Sequence, residues 1–202
     1  MTDLYAVIGN PVAHSRSPEI HAAFALETGQ DMTYRRVLAP LDGFAASLAG
    51  FCQQGGRGAN VTVPFKEAAF RLSTQLSARA RAAGAVNTLR FASGEVYGDN
   101  TDGVGLVRDL MTNLGVALEG KRILLVGAGG AARGAMGALL EQNPAALVVA
   151  NRSDARAIEL AALFATAQGN SPSAASFDDL EDERFDIVIN ATAASLAGEA
   201  PR

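Results

Sequence analysis

The chain has 202 residues, of which 49% are hydrophobic and 19% charged, and its formal net charge at pH 7 is −4. This length allows one large domain or two small ones, and an acidic balance without a basic block argues against nucleic-acid or membrane binding. The single cysteine, Cys52, cannot form an internal disulfide, and the N-terminus lacks the basic region of a signal peptide. A cytoplasmic protein is therefore expected.

Strand-like and helix-like segments alternate through the first half of the chain. Apolar, β-branched runs predict strands, and apolar residues at helical spacing predict helices. The predicted strands are Leu4–Ile8, Thr33–Leu38, Ala59–Val63, Ala85–Phe91 and Glu95–Gly98, and the predicted helices begin at Ser17-Pro18 or lie near residues 41–53, 66–72 and 75–83. This alternation is typical of a layered α/β domain, which we place at residues 1–102.

A second run of elements begins after a predicted helix from Asp102 to Leu114, and we place the second domain at residues 103–202. Its elements again alternate between apolar strands and amphipathic helices. Strands are predicted at Ile123–Val126, Leu147–Ala150, residues 173–176 and Asp186–Asn190, and helices from the glycine-rich turn to Gln142 and at Asp154–Thr166. This order predicts a Rossmann-like dinucleotide-binding domain.

The glycine-rich turn follows the first strand of that unit and opens a helix. Gly127, Gly129 and Ala132 fit the dinucleotide fingerprint with alanine in its third position. The first residue allows a tight turn, the second lets a phosphate approach the backbone, and the third lets the helix pack on the strand. Unpaired N–H groups at the helix start can then bind a pyrophosphate. A purely structural turn is the alternative.

The residues after the next strand indicate which dinucleotide is bound. An acidic residue there is typical of NAD, whose ribose 2′-hydroxyl it binds. This chain has Asn151, Arg152 and Ser153 instead. A guanidinium pairs bidentately with a phosphate, so the sequence favours NADP. A solvent-facing arginine is the alternative, and Ser153 fits a helix N-cap under either interpretation.

Lys66 is conspicuous because lysine is rare in this chain. Of the 17 lysines and arginines, only Lys66 and Lys121 are lysines. An ammonium can lose its proton when desolvated, whereas a guanidinium cannot, so a lysine after an apolar strand is suited to proton transfer. The alternative is a solvated lysine at the start of a surface helix.

Further polar residues of the first half lie where packing alone would not require them. Ser15 and Ser17 flank a predicted helix start, which is a natural anion site, although capping alone explains Ser17. Thr62 lies in the strand-like run before Lys66, where a half-buried β-branched residue is the alternative. Asn87 falls inside a predicted strand, where asparagine is disfavoured, and a buried amide needs partners. Asp102 starts a predicted helix, which it could simply cap.

Together these segments resemble the shikimate dehydrogenase family, the shikimate/quinate dehydrogenases. The resemblance rests on G-N-P-V-A-H-S-R-S-P at 9–18, N-V-T-V-P-F-K at 60–66, G-A-V-N-T-L at 84–89, G-D-N-T-D-G at 98–103, G-A-G-G-A-A-R-G at 127–134, N-R-S at 151–153 and I-N-A-T at 189–192. It implies an N-terminal α/β substrate-binding domain followed by a Rossmann-like domain. It also implies reversible reduction of 3-dehydroshikimate to shikimate with NADPH, in the pathway to chorismate and aromatic amino acids.

The resemblance also implies a role for each matching residue. The implied catalytic pair is Lys66 with Asp102. Ser15 and Ser17 would hold the substrate carboxylate, and Thr62, Asn87 and Asp102 would contact ring hydroxyls. The implied NADP-binding residues are Gly127, Gly129, Gly130, Ala131, Asn151, Arg152, Ser153 and Thr192, and no metal is implied.

The chain departs from the family at its C-terminal end. A six-stranded dinucleotide fold needs about two more strands after Asn190, and the resemblance implies that the C-terminal part, with one wall of the substrate cleft, is missing. Two alternatives stay open: a non-catalytic module that binds NADP or shikimate, and a paralogue that also acts on quinate. The expected oligomeric state is a monomer or a homodimer.

Overall fold

The structure is a computed structural model, which describes residues 2–165 and 171–192. The chain divides into two compact units, of which unit 1 ends at Asn100 and unit 2 begins at Thr101. This division lies two residues before the boundary that we placed after residue 102.

Unit 1 contains a six-stranded mixed sheet whose strand order is β2-β1-β3-β5-β6-β4. Its strands are β1 (Asp3–Gly9), β2 (Met32–Leu38), β3 (Gly56–Val61), β4 (Gln75–Leu76), β5 (Thr88–Ala92) and β6 (Glu95–Asp99), and its helices are α1 (Ser17–Thr28), α2 (Phe44–Gln53), α3 (Lys66–Leu72) and α4 (Ala78–Ala83). Strand β1 pairs in parallel with β2 and β3, while β5 is antiparallel to both β3 and β6. The carboxyl ends of β1, β3 and β6 therefore share one edge of the sheet with the amino end of β5.

The core of unit 1 anchors the loop that precedes α3. Ile8 of β1, Val61 of β3 and Phe51 of α2 are almost fully buried. Phe65, the last residue of the loop, is 3% exposed and stacks on Phe44 of α2 with 4.8 Å between the ring centroids. Burial of such a ring contributes about 1.5–3 kcal/mol. The start of α3 is therefore fixed by packing on the core.

Unit 2 contains a parallel sheet with the strand order β10-β7-β8-β9. Its strands are β7 (Arg122–Val126), β8 (Ala146–Ala150), β9 (Ser173–Ala175) and β10 (Ile187–Asn190), and its helices are α5 (Asp102–Arg108), α6 (Gly130–Leu140) and α7 (Asp154–Leu163). A π-helical segment (Asp109–Asn113) continues α5, and Asp178–Leu180 form a 3₁₀ turn. The order corresponds to strands 3-2-1-4 of a dinucleotide-binding fold, whose ligand crevice lies where the order reverses.

Two elements differ from their predictions for reasons of hydrogen bonding. The segment 75–83 is not one helix, because the Ser77 hydroxyl accepts a hydrogen bond from the Ala80 N–H and begins α4 after the short β4. The strand predicted from Ala85 begins only at Thr88, since the Val86 N–H donates to the carbonyl of Lys66 in α3. The final residue predicted for the helix at 154–166 lies outside the described residues.

Candidate active site

The predicted substrate residues of unit 1 lie at the shared edge of its sheet. Ser15 and Ser17 follow the carboxyl end of β1, Thr62 and Lys66 follow that of β3, and Asn87 immediately precedes β5. Residues far apart in sequence therefore meet at one edge because the strands that carry them are neighbours. Asp102 is the first residue of α5 in unit 2, three residues after the end of β6.

The loop from β1 to α1 presents two serine hydroxyls at the amino end of a twelve-residue helix. Ser15 Oγ and Ser17 Oγ are hydrogen bonded at 3.1 Å, and the Ser17 N–H donates to Ser15 Oγ at 3.3 Å. Ser17 is the first residue of α1 rather than its N-cap, which is Arg16. The prediction that Ser17 caps the helix was therefore wrong, because its hydroxyl faces neighbouring side chains rather than the helix N–H groups.

Arg36 of β2 holds this loop in place. Its Nε and Nη2 donate to the carbonyl oxygen of Ser15 at 2.9 and 2.5 Å, and Nη2 also forms an ion pair with Glu19 at 2.7 Å. Hydrogen bonding from the guanidinium lowers the pKa of the Glu19 carboxyl. The loop is therefore fixed through its backbone while its hydroxyls remain at the sheet edge.

The loop from β3 to α3 is pinned from both sides. The Thr62 N–H donates to the carbonyl of Ile8 at 2.9 Å, and the Phe65 N–H donates to that of Thr62 at 3.0 Å. A Cβ on Gly9 would overlap the γ-methyl of Thr62, so only glycine allows this approach. On the other side, the Val86 N–H donates to the carbonyl of Lys66 at 2.9 Å. Thr62 and Lys66 are both half-buried at positions set by backbone hydrogen bonds.

Asn87 is a buried amide whose partners are provided by neighbouring elements. The residue is 9% exposed, and its Oδ1 accepts a hydrogen bond from Thr88 Oγ1 at 2.8 Å. Its main chain donates to the carbonyl of Asp99 at 3.0 Å and accepts from the Val61 N–H at 2.8 Å. Asn87 lies before β5 rather than inside a strand, and its amide is held at the edge beside β3 and β6.

Sequence reasoning missed three polar residues close to this edge. Tyr34 Oη donates to Asn60 Oδ1 at 2.5 Å, and Asn60 Nδ2 donates to Thr88 Oγ1 at 3.3 Å. Tyr34 also stacks on His21, with ring centroids 4.2 Å apart. A cleft of about 290 Å³ is lined by these residues with Tyr5, Gln30, Met32, Gly58, Ala59 and Leu89. Asn60 opens a segment that we singled out, but Tyr34 carries no local signal.

Asp99 was also missed, and it is a structural carboxylate. It pairs with Arg79 at 2.5 Å, accepts a hydrogen bond from Ser77 Oγ at 2.6 Å, and accepts another from the Asn100 N–H at 2.8 Å. Hydrogen bonding from the Arg79 guanidinium lowers the pKa of the Asp99 carboxyl. Asp99 therefore ties the end of β6 to the start of α4.

The glycine turn of unit 2 has the geometry that a phosphate site needs. Gly127 has φ of +114°, and a Cβ there would lie 3.1 Å from the backbone of Ala191. Gly129 is the N-cap residue of α6, and a Cβ on it would meet open space. The first glycine is therefore required by the fold, while the second leaves the backbone open to a ligand. Gly130 and the exposed Ala131 form the first turn, and Ala132 is fully buried against the sheet.

The residues expected to distinguish NADP from NAD lie at the carboxyl end of β8. Asn151 Nδ2 donates to the carbonyl of Ser153 at 3.0 Å, which closes a short turn. Ser153 is the N-cap residue of α7, although its side chain makes no cap hydrogen bond. Arg152 is exposed, and no carboxylate within residues 2–165 and 171–192 forms an ion pair with it. Arg152 follows β8 at the same sheet edge as the glycine turn that follows β7.

Thr192 follows β10, the strand on the other side of β7. Its N–H and Oγ1 both donate to Asn190 Oδ1, at 3.0 and 2.7 Å. Its γ-methyl would lie 3.2 Å from a Cβ placed on Gly127. The turns after β7, β8 and β10 thus end at one edge, with the strand-order reversal between β7 and β10.

Comparison with known proteins assigns the chain to a family. Residues 7–89 match the shikimate dehydrogenase substrate binding domain, and residues 109–197 match the family described as shikimate / quinate 5-dehydrogenase. A shikimate dehydrogenase (NADP(+)) from Nitrosospira multiformis is 61% identical over 201 residues, which cover 100% of this chain and 72% of the relative. The chain belongs to the shikimate dehydrogenase family. This confirms the resemblance drawn from the motifs.

Solved structures of shikimate dehydrogenases share the fold. The enzyme from Aquifex aeolicus has a TM-score of 0.87 at 33% identity, covering 100% of this chain and 73% of that one. The enzyme from Thermus thermophilus in complex with NADP(H) and shikimate has a TM-score of 0.83 at 33% identity, covering 95% and 69%. The predicted fold class, a substrate-binding α/β unit followed by a Rossmann-like unit, is confirmed.

The described residues contain neither a metal-binding cluster nor a membrane-spanning helix. Among the described residues, no group of three or more His, Cys, Asp or Glu side chains could hold a metal ion. No helix in residues 2–165 and 171–192 is both long and apolar enough to cross a membrane.

Proposed function

We propose that the protein reversibly reduces 3-dehydroshikimate to shikimate with NADPH. The observation that carries the proposal is the 61% identity over 201 residues to a protein named shikimate dehydrogenase (NADP(+)). The geometry of the two half-sites supports it, because each has the chemical groups that one of the two reactants needs. The reaction belongs to the route to chorismate and the aromatic amino acids.

The edge of unit 1 is suited to a hydroxylated carboxylic acid. We assign the carboxylate to Ser15 and Ser17, whose hydroxyls lie at the positive end of the α1 dipole. Thr62 and Asn87 contact ring hydroxyls in this assignment. An asparagine amide can both donate to and accept from a hydroxyl, which suits Asn87 to this role.

The catalytic roles fall to Lys66 and Asp102. The ammonium of Lys66 donates a hydrogen bond to the substrate ketone oxygen and stabilises the negative charge that develops there. It then transfers one proton to that oxygen, and the resulting amine regains a proton from solvent. In the reverse reaction the neutral amine accepts the hydroxyl proton. Asp102, at the start of α5, provides the carboxylate that balances the ammonium and binds a ring hydroxyl.

Unit 2 fits NADP on the evidence of its glycine turn. A Cβ at Gly129 would fill the open space in front of the helix terminus, where a pyrophosphate would lie. We assign the pyrophosphate to the backbone of Gly127, Gly129, Gly130 and Ala131, with Thr192 beside the turn. Asn151, Arg152 and Ser153 take the 2′-phosphate. Bound NADPH supplies the hydride that reduces the ketone.

Location in the cell and oligomeric state are predicted from the sequence alone. The expected cytoplasmic location and the expected state of monomer or homodimer stay predictions. Nucleic-acid and membrane partners are not part of the proposal.

A steady-state assay of the purified protein tests the proposed function. We expect NADPH consumption with 3-dehydroshikimate, NADP⁺ reduction with shikimate, and a strong preference for NADPH over NADH. Parallel assays with quinate test the paralogue with broader specificity. Calorimetric binding of shikimate and NADP⁺ without any turnover would instead support the non-catalytic module. The absence of both binding and turnover would overturn the proposal.

A further inference from the structure

Two helices of unit 2 approach each other closely at one glycine. Gly103, the second residue of α5, is buried. A Cβ on Gly103 would overlap the carbonyl oxygen of Gly134 in α6. It would also lie 3.1 Å from the Cα of Ala135 and 2.9 Å from the Cβ of Ala138. Two of these three atoms belong to the backbone of α6 and cannot rotate away, so α5 can lie this close to α6 only because residue 103 has no side chain.

The conformation of the backbone does not explain this glycine. Gly103 lies within a helix and its φ is not positive, so any residue could adopt its conformation. Glycine in a helix is less stable than alanine, because it loses more conformational freedom on folding. Gly105, two residues further along α5, is exposed, and a Cβ on it would meet no atom within 4 Å. The close approach to α6 is therefore the feature that requires glycine at position 103.

This contact joins the proposed catalytic carboxylate to the proposed pyrophosphate turn. Asp102 immediately precedes Gly103 and is the first residue of α5. Gly134 lies four residues after Gly130, the first residue of α6, which is about one helical turn. Because a helix is rigid over a single turn, the packing of Gly103 on α6 fixes Asp102 relative to the glycine turn.

Of the two helices, α5 is the one that would move if this contact were widened. Three side chains of α6 are fully buried in the core of unit 2: Ala132, Met136 and Leu139. By contrast, Gly103 is the buried residue of α5, and Leu106 is only half-buried where it packs on the same core. A side chain at position 103 should therefore displace α5 together with Asp102, while α6 and the glycine turn stay in place.

We propose that Gly103 is a positioning residue that sets the place of Asp102 relative to the bound cofactor. Gly103 has no side chain with which to bind either reactant, so it acts through Asp102. This inference rests on the proposed function and adds a structural reason for its precision. The carboxylate and the cofactor turn belong to the same unit, and helix packing holds them in a fixed relation.

Gly103→Ala and Gly105→Ala form a matched pair of variants. Each adds one methyl group to α5, against the backbone of α6 in the first variant and into open space in the second. Relief of the overlap at position 103 needs a shift of about 1 Å. A misplacement of this size should lower the kcat for shikimate oxidation about 10–100-fold in Gly103→Ala. The kcat of Gly105→Ala should stay within about twofold of wild type. The Kd for NADP⁺, measured by calorimetry, should be unchanged in both variants.

A double variant separates positioning from a general loss of stability. If Gly103 acts through Asp102, Gly103→Ala should add little to the loss of kcat that Asp102→Asn causes by itself. The rates are measured at a temperature at which circular dichroism shows every variant to be folded. Four results would each overturn the inference: a multiplicative loss in the double variant, an equal loss in Gly105→Ala, a wild-type kcat in folded Gly103→Ala, or a parallel loss of NADP⁺ affinity.

A substitution on the other helix keeps the test decisive if Gly103→Ala does not fold. Ala138→Val adds two methyl groups to the α6 side chain that faces Gly103. It should lower kcat severalfold and leave the Kd for NADP⁺ unchanged. Gly137→Ala is the control on α6, because its Cβ would lie 3.6 Å from Phe164, an ordinary contact distance. In that case a wild-type kcat in folded Ala138→Val, or an equal loss in Gly137→Ala, would overturn the inference.

Failure of this inference is distinguishable from failure of the proposed function. A wild-type protein that neither binds nor oxidises shikimate would remove both. An active wild type with an unaffected, folded Gly103→Ala variant would remove only the positioning role.

Discussion

The two units build their candidate half-sites from different atoms. In unit 1 the proposed site consists of side chains, one of which, Asn87, is hydrogen bonded to the side chain of Thr88. In unit 2 the proposed pyrophosphate site consists of backbone N–H groups that small residues leave accessible at a helix terminus. Removing atoms should therefore damage the first half-site, whereas adding atoms should damage the second.

The largest expected effect tests the side-chain half-site at its reactive group. Lys66→Ala should lower turnover by about 10²–10⁴-fold, which is the usual contribution of a positioned proton donor. The KM for NADPH should change little in steady-state assays. Lys66→Arg keeps the charge but cannot donate a proton readily, so it should also remain far below wild type. The matched control is Lys121→Ala, because Lys121 is the other lysine and its ammonium forms a long ion pair of 3.9 Å with Asp186. Equal losses in turnover and in cofactor affinity would contradict the role of Lys66.

The second prediction tests the one charged side chain on which the cofactor half-site is proposed to depend. Arg152→Gln should raise the KM for NADPH about 10–100-fold, because a hydrogen-bonded charge is lost from the 2′-phosphate. The KM for NADH should be unaltered, so the preference between the two cofactors narrows. Arg156→Gln, an exposed arginine of α7, is the control. An equal rise in the KM for NADH would show that Arg152 does not bind the 2′-phosphate.

The third prediction separates the two glycines of the turn. Gly129→Ala should leave the free energy of unfolding within about 0.5 kcal/mol of wild type, because the new Cβ meets no atom within 4 Å. It should nevertheless weaken NADPH binding about tenfold by obstructing one backbone hydrogen bond. Gly127→Ala should instead destabilise the fold by about 1–3 kcal/mol, since its φ is +114°. Thermal unfolding with and without NADP⁺ distinguishes the two, and identical behaviour would contradict the geometry.

The smallest expected effect concerns stability in unit 1. Asp99→Asn should cost about 1–2 kcal/mol at neutral pH, because it removes the charge that Arg79 pairs with. The pKa of Asp99 is lowered in the folded state, so its stabilisation is complete above the ordinary aspartate pKa of about 3.9. The difference between wild type and variant should therefore shrink as the pH falls through the folded-state pKa. Urea unfolding at several pH values measures this, with Asp42→Asn as an exposed control. A difference in the free energy of unfolding between wild type and Asp99→Asn that increased at lower pH would contradict the prediction.

The units also differ in how much of them could be predicted from the sequence. The glycine turn, Arg152 and the strands at 123–126 and 147–150 lie in continuous segments, and local patterns placed them within one residue. The family motifs likewise point to Lys66 and Asn87 as site residues, and these assignments stay predictions. Tyr34 could not be found in this way, because its partner Asn60 is 26 residues away and lies across an intervening strand. Only the strand order reveals that pair, and strand order is not a local property of the sequence.

Errors in the predicted elements have the same origin. The predicted strand began too early because Ala85 and Val86 are apolar, while the N–H groups of Val86 and Asn87 donate to carbonyls of α3 and β6. The helix start at Ser17 follows the usual capping preference, but Arg16 is the N-cap residue and the Ser17 hydroxyl accepts a hydrogen bond from Ser15 Oγ instead. Local propensity was overridden where a residue forms a hydrogen bond outside the element predicted for it.

The hydrogen bonds from Arg36 to the serine loop affect how the proposed substrate site can diversify. The guanidinium bonds to the carbonyl oxygen of residue 15, an atom that every amino acid possesses, and not to the hydroxyl of Ser15. The Ser15 carbonyl oxygen thus fixes the position of the loop, while the Ser15 hydroxyl gives the loop its binding chemistry. Residue 15 can be exchanged without releasing its backbone, so substrate range can drift here at little cost to the architecture.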